Sequence, residues 1–289
     1  MKEYEYYKCD EIKIDKEQPL IVTLTSWKER ANTDILYKTL LSLKEQTLKP
    51  DKIIVWLSSE EIMKNTLPNE ILEGDWYEIC WVNKNLKSFK KFLSIQQIPN
   101  AIHITMDDDM QYSNHIIEDL YTTYMNSNKK CIISSYCPSC NEFGQPWGDY
   151  FGGKTNFKWI STGCCLYSPN VFPQEVFDLY DPIMLNRGLC SDECFLMPFI
   201  IYHDIELLTY FSNGLDFFKE NIIINESKYN ALHVKFFRDI INGYGNLKTN
   251  IKNDLIYDIV KSLPIEYQEK YKKCFPRFGE QDDSVPYFL

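Results

Sequence analysis

Short runs of apolar residues alternate with stretches of helical spacing through the first 127 residues of the chain. A short apolar run between polar residues is typical of a strand buried on both faces, whereas apolar residues three or four positions apart indicate a helix. The predicted strands are residues 20–24, 53–57, 77–82 and 101–106, and the predicted helices are residues 34–46, 68–72, 87–97 and 113–125. Strands and helices that alternate with short joins form right-handed crossovers, so this half of the chain predicts a parallel sheet.

The fourth predicted strand runs directly into three consecutive carboxylates, Asp107, Asp108 and Asp109. Because side chains alternate along an extended segment, we expect Asp107 and Asp109 to point the same way and Asp108 to point opposite. Such a pair suits Mg²⁺ or Mn²⁺, which take their other ligands from water and from substrate phosphates. The triplet equally fits a solvated strand end that caps the next helix, and it does not decide between the two interpretations by itself.

The pattern changes after residue 127. A fifth strand is predicted over residues 131–135, and a long segment rich in glycine and aromatic residues follows at 136–165. Long loops of this kind are usually functional or poorly ordered, and aromatic faces beside hydrogen-bonding groups would suit a sugar ring. The remaining predicted elements are a helix over 191–202 that contains Pro198, an edge strand within 203–211, and helices over 235–241, 252–263 and 267–274. The whole order predicts an α/β fold with a mostly parallel central sheet.

Composition narrows the class of protein. The 289 residues are 44% hydrophobic and 25% charged, as expected for a globular chain, and the net charge of −10 argues against a nucleic-acid partner. The ten cysteines are neither dense nor regularly spaced, so we expect reduced thiols. The N-terminal stretch lacks the apolar core of a signal peptide and no run is long enough to cross a bilayer. We therefore expect a cytoplasmic protein that is compatible with peripheral contact at the inner face of the membrane.

The ordered set of short motifs carries a resemblance to a known family. The motifs are Thr25–Arg30, Leu40–Ile53, Lys87–Phe92, the carboxylate triplet, Ser161–Gly163 and Ser191–Glu193. In this order, the chain resembles bacterial glycosyltransferases of the GT-A type, close to family 2 and to the sugar transferases of capsule, lipooligosaccharide and O-antigen clusters. A single Asp-x-Asp is weak evidence, but the ordered set from about residue 20 to residue 200 is specific.

The resemblance implies a division of the chain and a GT-A fold, that is, a Rossmann-like sheet flanked by helices with a helical C-terminal extension. Residues 1–19 would be a lead-in, and residues 20–127 would bind the nucleotide sugar. Residues 128–233 would form the acceptor and catalytic half of the same domain, and residues 234–289 the helical extension. Ligands in such sheets bind beyond the carboxyl ends of the strands.

The resemblance also assigns residues to the donor site. Asp109 would bind the divalent cation, Mn²⁺ or Mg²⁺, while Asp107 would approach the ribose or the cation and Asp108 would lie beside them. The nucleotide pocket would be lined by Thr25, Ser26, Arg30 and the Ser58–Glu60 loop. Lys91, rather than its neighbour Lys90, would face the nucleotide or its diphosphate, and Thr162 and Gly163 would form the floor under the donor sugar. His233 is the candidate for a further metal ligand from the C-terminal part.

For catalysis, the resemblance implies direct displacement with inversion at the anomeric carbon. An acceptor hydroxyl then needs a general base, for which Asp192 and Glu193 are the candidates. The chain departs here from the family pattern, because Asp-Glu is followed by Cys194 and Phe195 where Asp-Asp and a tryptophan are more common. Which of the two carboxylates would be the base therefore stays open. The expected partners are a nucleotide-sugar donor, with UDP preferred, and an oligosaccharide or lipid-linked surface glycan as acceptor.

Two alternatives remain at this stage. A nucleotidyltransferase acting on sugar phosphates also uses such a sheet with paired carboxylates, although it normally has a glycine-rich loop after the first strand and Thr25–Arg30 contains no glycine. A catalytically inactive, glycan-binding homologue is the other alternative. The presence of all four candidate acidic residues, Asp107, Asp109, Asp192 and Glu193, argues against it.

Overall fold

The computed structural model describes residues 16–63, 66–127, 130–135, 137, 139–140, 156–160, 163–184, 192–211, 222–224 and 250–279. Within these ranges, no helix is both long and apolar enough to span a bilayer. The predicted helix at 235–241 and most of the segment 136–165 lie outside the described residues.

A seven-stranded sheet forms the centre of the fold. The described residues form nine strands, of which seven belong to this sheet and two to a separate pair. They are β1 (Leu20–Thr25), β2 (Lys52–Ser58), β3 (Glu78–Val82), β4 (Ile102–Met106), β5 (Met110–Gln111), β6 (Cys131–Ser134), β7 (Cys164–Tyr167), β8 (Glu206–Thr209) and β9 (Ile222–Ile223). The order in the large sheet is β3-β2-β1-β4-β7-β6-β8, and β5 pairs separately with β9. Only β7 runs antiparallel to its neighbours in the large sheet. The α/β fold with a mostly parallel sheet is therefore confirmed.

Helices cover both faces of this sheet. They are α1 (Lys28–Ala31), α2 (Asp34–Lys44), α3 (Asn69–Leu72), α4 (Leu93–Gln97), α5 (Ile116–Met125), α6 (Gln174–Met184), α7 (Asp192–Tyr202), α8 (Asn250–Ser262) and α9 (Ile265–Cys274). A 3₁₀ helix over Lys87–Phe92 leads directly into α4. Crossover helices on both faces are the expected consequence of parallel strands, because each strand must return to the same end of the sheet.

Two apolar clusters, one on each face, hold the layers together. Alternate residues of β1 divide between them, since Ile21 faces the cluster that contains α7 and the C-terminal helices, and Val22 and Leu24 face the cluster that contains α2 and α5. Helix α7 is buried along nearly its whole length, which explains why it shows no polar face, and it contains Pro198. The described C-terminal helices pack on α7 and so extend the domain core.

The structure corrects several local predictions. The strand β7 was not predicted, and it enters the sheet between β4 and β6. The helix predicted over 87–97 is a 3₁₀ helix in its first half, and α5 begins at Ile116 after His115 rather than at a Ser113 cap. Cys80 is disulfide-bonded, so the expectation of reduced thiols is wrong there, whereas the other described cysteines are free.

Candidate functional site

The carboxylate triplet lies in a turn between β4 and β5, at the carboxyl end of the central strands. Strand β4 ends at Met106, so the strict alternation assumed for the triplet does not continue through it. Its ion pairs group Asp108 with Asp109 on one arginine, whereas Asp107 pairs with a lysine. Asp107 and Asp109, which were expected to point the same way, therefore have different cationic partners, and Asp109 shares its partner with Asp108.

Asp108 fixes the turn to the first strand. Its carboxylate accepts hydrogen bonds from the Ser26 hydroxyl and from Arg30, and its backbone carbonyl accepts a hydrogen bond from Thr39 Oγ1 at 2.9 Å. Burial raises the pKa of Asp108 to about 6, against the opposing effect of Arg30. Ser26 and Arg30, which were predicted to line a nucleotide pocket, thus contact this aspartate in the structure.

Asp109 continues the same network. Its Oδ2 lies 2.9 Å from Nη2 of Arg30, and its backbone carbonyl accepts a hydrogen bond from the amide of Ile224 at 2.8 Å. One guanidinium therefore bridges two adjacent carboxylates, in the forked geometry for which arginine is suited. The turn is anchored from the β1 side by Arg30 and from the β9 side by Ile224.

Lys91 occupies the centre of the site. It comes from the 3₁₀ helix, whose backbone is tied to β1 by a hydrogen bond from Thr23 Oγ1 to the Lys91 carbonyl at 2.9 Å. Its ammonium lies 3.1 Å from Asp107 Oδ1 and 3.0 Å from Asp192 Oδ2. Burial by itself would lower the pKa of Lys91, but the two carboxylates outweigh burial and raise the pKa, so the side chain is charged at neutral pH.

Asp192 begins helix α7 and is 5% exposed. Burial raises the pKa of its carboxyl, and Lys91 opposes that rise. The adjacent Glu193 is half-buried. A general base must reach an acceptor hydroxyl, and Asp192 is instead buried against an ammonium. This position argues physically against the predicted role of Asp192 as the base of a displacement at a sugar carbon.

Gly163, which precedes β7, and Tyr112, which follows β5, support Asp107. The Gly163 carbonyl accepts hydrogen bonds from the Asp107 amide at 3.2 Å and from the Tyr112 hydroxyl at 2.8 Å. A Cβ atom on Gly163 would lie 3.4 Å from Asp107 Oδ2. Sequence reasoning found Gly163 but missed Tyr112. The signal for Tyr112 would have been its position three residues after the carboxylate triplet.

Two other predicted site residues, Thr25 and Ser58, form hydrogen bonds at the ends of strands β1 and β2. The Thr25 hydroxyl donates to the Trp56 carbonyl at 2.8 Å, joining the ends of β1 and β2. Ser58 is fully buried and its hydroxyl accepts a hydrogen bond from the Glu60 amide at 3.3 Å. Ser58 therefore shapes the turn after β2 and does not line an open pocket. Thr162 and His233 lie outside the described residues, so their predicted roles stay predictions.

The carboxylates of the turn are compatible with one divalent cation. No group of three or more His, Cys, Asp or Glu side chains in the described ranges forms a ready metal cluster. Mg²⁺, however, is commonly held by one or two carboxylates with waters and phosphates completing the shell. The Asp107 side chain is 41% exposed, which leaves its oxygens open to a cation. The donor set thus fits a cation that is completed by a substrate.

Comparison with known proteins gives fold-level likeness. No family model and no curated protein matches the chain. A solved 2-C-methyl-D-erythritol 4-phosphate cytidylyltransferase from Francisella tularensis is 17% identical, with a TM-score of 0.44 over 76% of this chain and 99% of that one. A solved 4-diphosphocytidyl-2C-methyl-D-erythritol synthase is 9% identical, with a TM-score of 0.43 over 78% and 100%. Likeness at this identity concerns the fold.

These comparisons correct the main functional prediction. Both solved structures are named as a cytidylyltransferase or a diphosphocytidyl synthase, and neither is named as a glycosyltransferase. The printed names agree with the alternative prediction of a nucleotidyltransferase rather than with the main prediction of a sugar transferase for surface glycans, which is not retained, and the resemblance to family 2 is unconfirmed.

Proposed function

We propose that this chain is a nucleotidyltransferase that joins a nucleotide to a sugar phosphate. The observation that carries the proposal is the ion-pair chain Asp107–Lys91–Asp192 at the carboxyl end of the sheet, in which Lys91 and Asp192 are buried. It supplies a permanently charged ammonium and withdraws Asp192 from work as a base. The names of the structural neighbours agree with this class of reaction but, at their level of similarity, do not carry the proposal.

The chemistry explains why a missing base favours this reaction. A phosphate oxygen of the sugar phosphate forms a bond to the α-phosphorus of a nucleoside triphosphate, and the bond from that phosphorus to the bridging oxygen breaks. Pyrophosphate leaves with the electron pair. A phosphate monoester has a second pKa of about 6 and is already ionised at neutral pH, so it needs no general base. An acceptor hydroxyl, in contrast, must lose a proton during attack.

The residues of the site have roles that fit this reaction. Negative charge grows on the oxygens around phosphorus and on the leaving pyrophosphate, and preorganised cations stabilise such charge. Lys91 offers a buried ammonium, and Arg30 holds the carboxylate turn through its ion pairs with Asp108 and Asp109. The loop after β1 has no glycine to present its amides to phosphate, so charged side chains would take over that function.

A divalent cation belongs to the same proposal. Asp107, whose side chain is 41% exposed, would hold Mg²⁺ or Mn²⁺ together with the triphosphate, and the bound cation would neutralise phosphate charge. In the described part of the chain, the four carboxylates Asp107, Asp108, Asp109 and Asp192 form ion pairs with the two cations Arg30 and Lys91. The resulting excess of negative charge favours a further cation, and it would repel a triphosphate that arrived without one.

The test is pyrophosphate release from the full chain. Each of the four nucleoside triphosphates is incubated with a panel of sugar phosphates in Mg²⁺ or Mn²⁺, and released pyrophosphate is measured. We expect release that requires one nucleotide, one class of sugar phosphate and the metal. The Lys91→Gln variant should lose at least about 100-fold in rate, which corresponds to about 3 kcal/mol of lost charge stabilisation.

Glu193→Gln is the discriminating variant. Because the phosphate nucleophile needs no base, this variant should keep its rate within about threefold of wild type, a change of less than 1 kcal/mol in the barrier. Absence of pyrophosphate release with every combination would refute the proposal. A loss of activity in Glu193→Gln as large as that in Lys91→Gln would refute the base-free mechanism.

A further inference from the structure

The loops after β2 and β3 are joined at the carboxyl end of the sheet. The Ser59 amide donates to the Val82 carbonyl at 2.9 Å, and the Asn85 amide donates to Glu60 Oε2 at 2.6 Å. These loops lie on the side of β1 away from β4 and its carboxylate turn. With strands about 4.8 Å apart, they are displaced from the turn by about 10 Å or more along the sheet edge.

Lys90 is buried between these loops with an incomplete set of partners. The residue is 2% exposed, and its ammonium donates to Asn85 Oδ1 at 3.0 Å. Its nearest carboxylate oxygen is Glu61 Oε2 at 3.9 Å, beyond hydrogen-bond distance. That same oxygen is buried and has no hydrogen-bond partner. An ammonium carries three donors, so a buried donor and a buried acceptor of opposite charge lie side by side with capacity to spare.

The neighbouring lysine shows what a satisfied ammonium looks like in this fold. Lys91 has two carboxylate oxygens at 3.0 and 3.1 Å, whereas Lys90 has one amide oxygen and one distant carboxylate. A buried polar group with unmet hydrogen bonds costs free energy that a ligand can recover. The Lys90–Glu61 pair therefore retains hydrogen-bonding capacity that a ligand between its members would use.

We propose that Lys90 and Glu61 read the edge of a nucleobase. Lys90 would donate to a carbonyl oxygen or ring nitrogen of the base, and Glu61 would accept from the adjacent N–H or amino group. This inference rests on the proposed function, because it names how that site selects its nucleotide. A phosphate is the poorer ligand here, since the Glu61 carboxylate would repel it. A base edge is neutral and presents a donor beside an acceptor.

The position along the sheet agrees with this assignment. The triphosphate would lie over the carboxylate turn after β4, and the base would extend toward the loops after β2 and β3. Ligands of such sheets cross the carboxyl ends of the strands in this way. Base selection would thus depend on residues that are remote from the transferred phosphorus.

Calorimetry with separated parts of the nucleotide tests the assignment. The probes are the four nucleoside triphosphates, tripolyphosphate and ribose 5-phosphate, each with Mg²⁺. The proteins are wild type, Lys90→Met, Glu61→Gln and the control Lys87→Met, which removes an exposed lysine from the same 3₁₀ helix. Thermal melts of all four proteins establish that each is folded before binding is measured.

We expect Lys90→Met to weaken binding of the preferred triphosphate by about 10- to 100-fold, the range for a hydrogen bond to a charged group. Glu61→Gln should weaken it by about tenfold, and both variants should discriminate less among the four bases. Binding of tripolyphosphate and ribose 5-phosphate should stay within about twofold in every protein, and Lys87→Met should match wild type.

Other outcomes overturn the inference in distinguishable ways. An equal loss of tripolyphosphate and nucleotide binding in Lys90→Met would make Lys90 a phosphate ligand. Unchanged base discrimination in a wild-type-like Lys90→Met, together with pyrophosphate release by wild type, would refute base reading and leave the proposed function standing. Failure of wild type to bind any nucleotide would overturn both.

Discussion

Lys90 and Lys91 should respond to the same substitution with opposite changes in stability. Both side chains are almost fully buried and they are adjacent in the chain, so Lys90→Met and Lys91→Met remove the same charge from the same helix. The difference lies in their partners. Lys90 lacks a close carboxylate, whereas Lys91 has two. We expect Lys90→Met to raise the free energy of unfolding and Lys91→Met to lower it.

The magnitude for Lys90 follows from its pKa. Burial lowers that pKa from 10.5 to about 8, with only partial compensation from Glu61 and Asp108. A shift of that size corresponds to about 3 kcal/mol of destabilisation of the charged form, since one pKa unit is 1.36 kcal/mol. Below pH 8 the lysine is charged in both folded and unfolded states, so the full cost is present. Lys90→Met should therefore stabilise the ligand-free protein by about 1–3 kcal/mol at pH 7, after allowance for the lost hydrogen bond to Asn85.

The direction in which the difference in unfolding free energy changes with pH provides a second check. Between pH 8 and 10.5 the unfolded state holds the Lys90 proton that the folded state has released, so wild-type stability should rise relative to Lys90→Met. The advantage of the variant should consequently shrink across this window. Lys91→Met, in contrast, leaves Asp192 buried without a counter-charge and should cost about 3–5 kcal/mol at pH 7. That cost should decrease toward acid pH, where Asp192 can take up a proton.

Equilibrium unfolding in urea is the appropriate assay, because urea does not screen charges as guanidinium chloride does. The midpoint and slope are measured at pH 5, 7 and 9.5 for wild type and both variants, with Lys87→Met as the exposed control. A destabilised Lys90→Met, or two variants that shift by the same sign and size, would refute the reasoning that separates the two lysines by their partners.

Three further predictions address the remaining parts of the fold and site. Tyr112→Phe should lower the free energy of unfolding by about 1 kcal/mol, since it removes the hydroxyl that donates to the Gly163 carbonyl. The rate of pyrophosphate release should also fall if that hydrogen bond positions Asp107. Unchanged thermal melts and unchanged rates would contradict this prediction. Arg30→Met should destabilise the protein by about 2–4 kcal/mol at pH 7 and by less at pH 5, because Asp108 and Asp109 lose their shared cation; urea unfolding at the two pH values measures the difference, and an equal cost at both would contradict it. Burial lowers the pKa of His103 to about 4, so the unfolded state binds more protons between pH 6.5 and 4 and wild-type stability should fall by up to about 3 kcal/mol across that window; His103→Leu should be less sensitive to acid in urea unfolding, and parallel pH profiles would rule out His103 as the cause.

The sequence by itself determined the first half of the fold. Strands β1, β2 and β4 are apolar runs buried on both faces, and this pattern depends only on local composition and on the period of the chain. The edge strand β8 and the helices α7, α8 and α9 were also predictable, because each forms an apolar or periodic stretch of adequate length. The carboxylate triplet was identifiable because three adjacent acids follow directly after a buried strand, although the triplet by itself left both a metal site and a solvated strand end open.

Only the tertiary structure decided how those groups are paired. The sequence put Lys90 and Lys91 side by side with identical chemistry, and the fold turned one toward Asp107 and Asp192 and the other toward Asn85 and Glu61. The antiparallel strand β7 could not be predicted, because its Cys-Cys-Leu-Tyr run is too short to indicate a strand. Its position in the sheet depends on pairing with strands that are distant in sequence. The role expected of Asp192 stays a prediction, and its burial against Lys91 argues against it for the same reason. Whether a carboxylate is a base or half of a buried ion pair depends on which cation the fold brings within about 3 Å of it, and that distance is set by contacts remote in sequence.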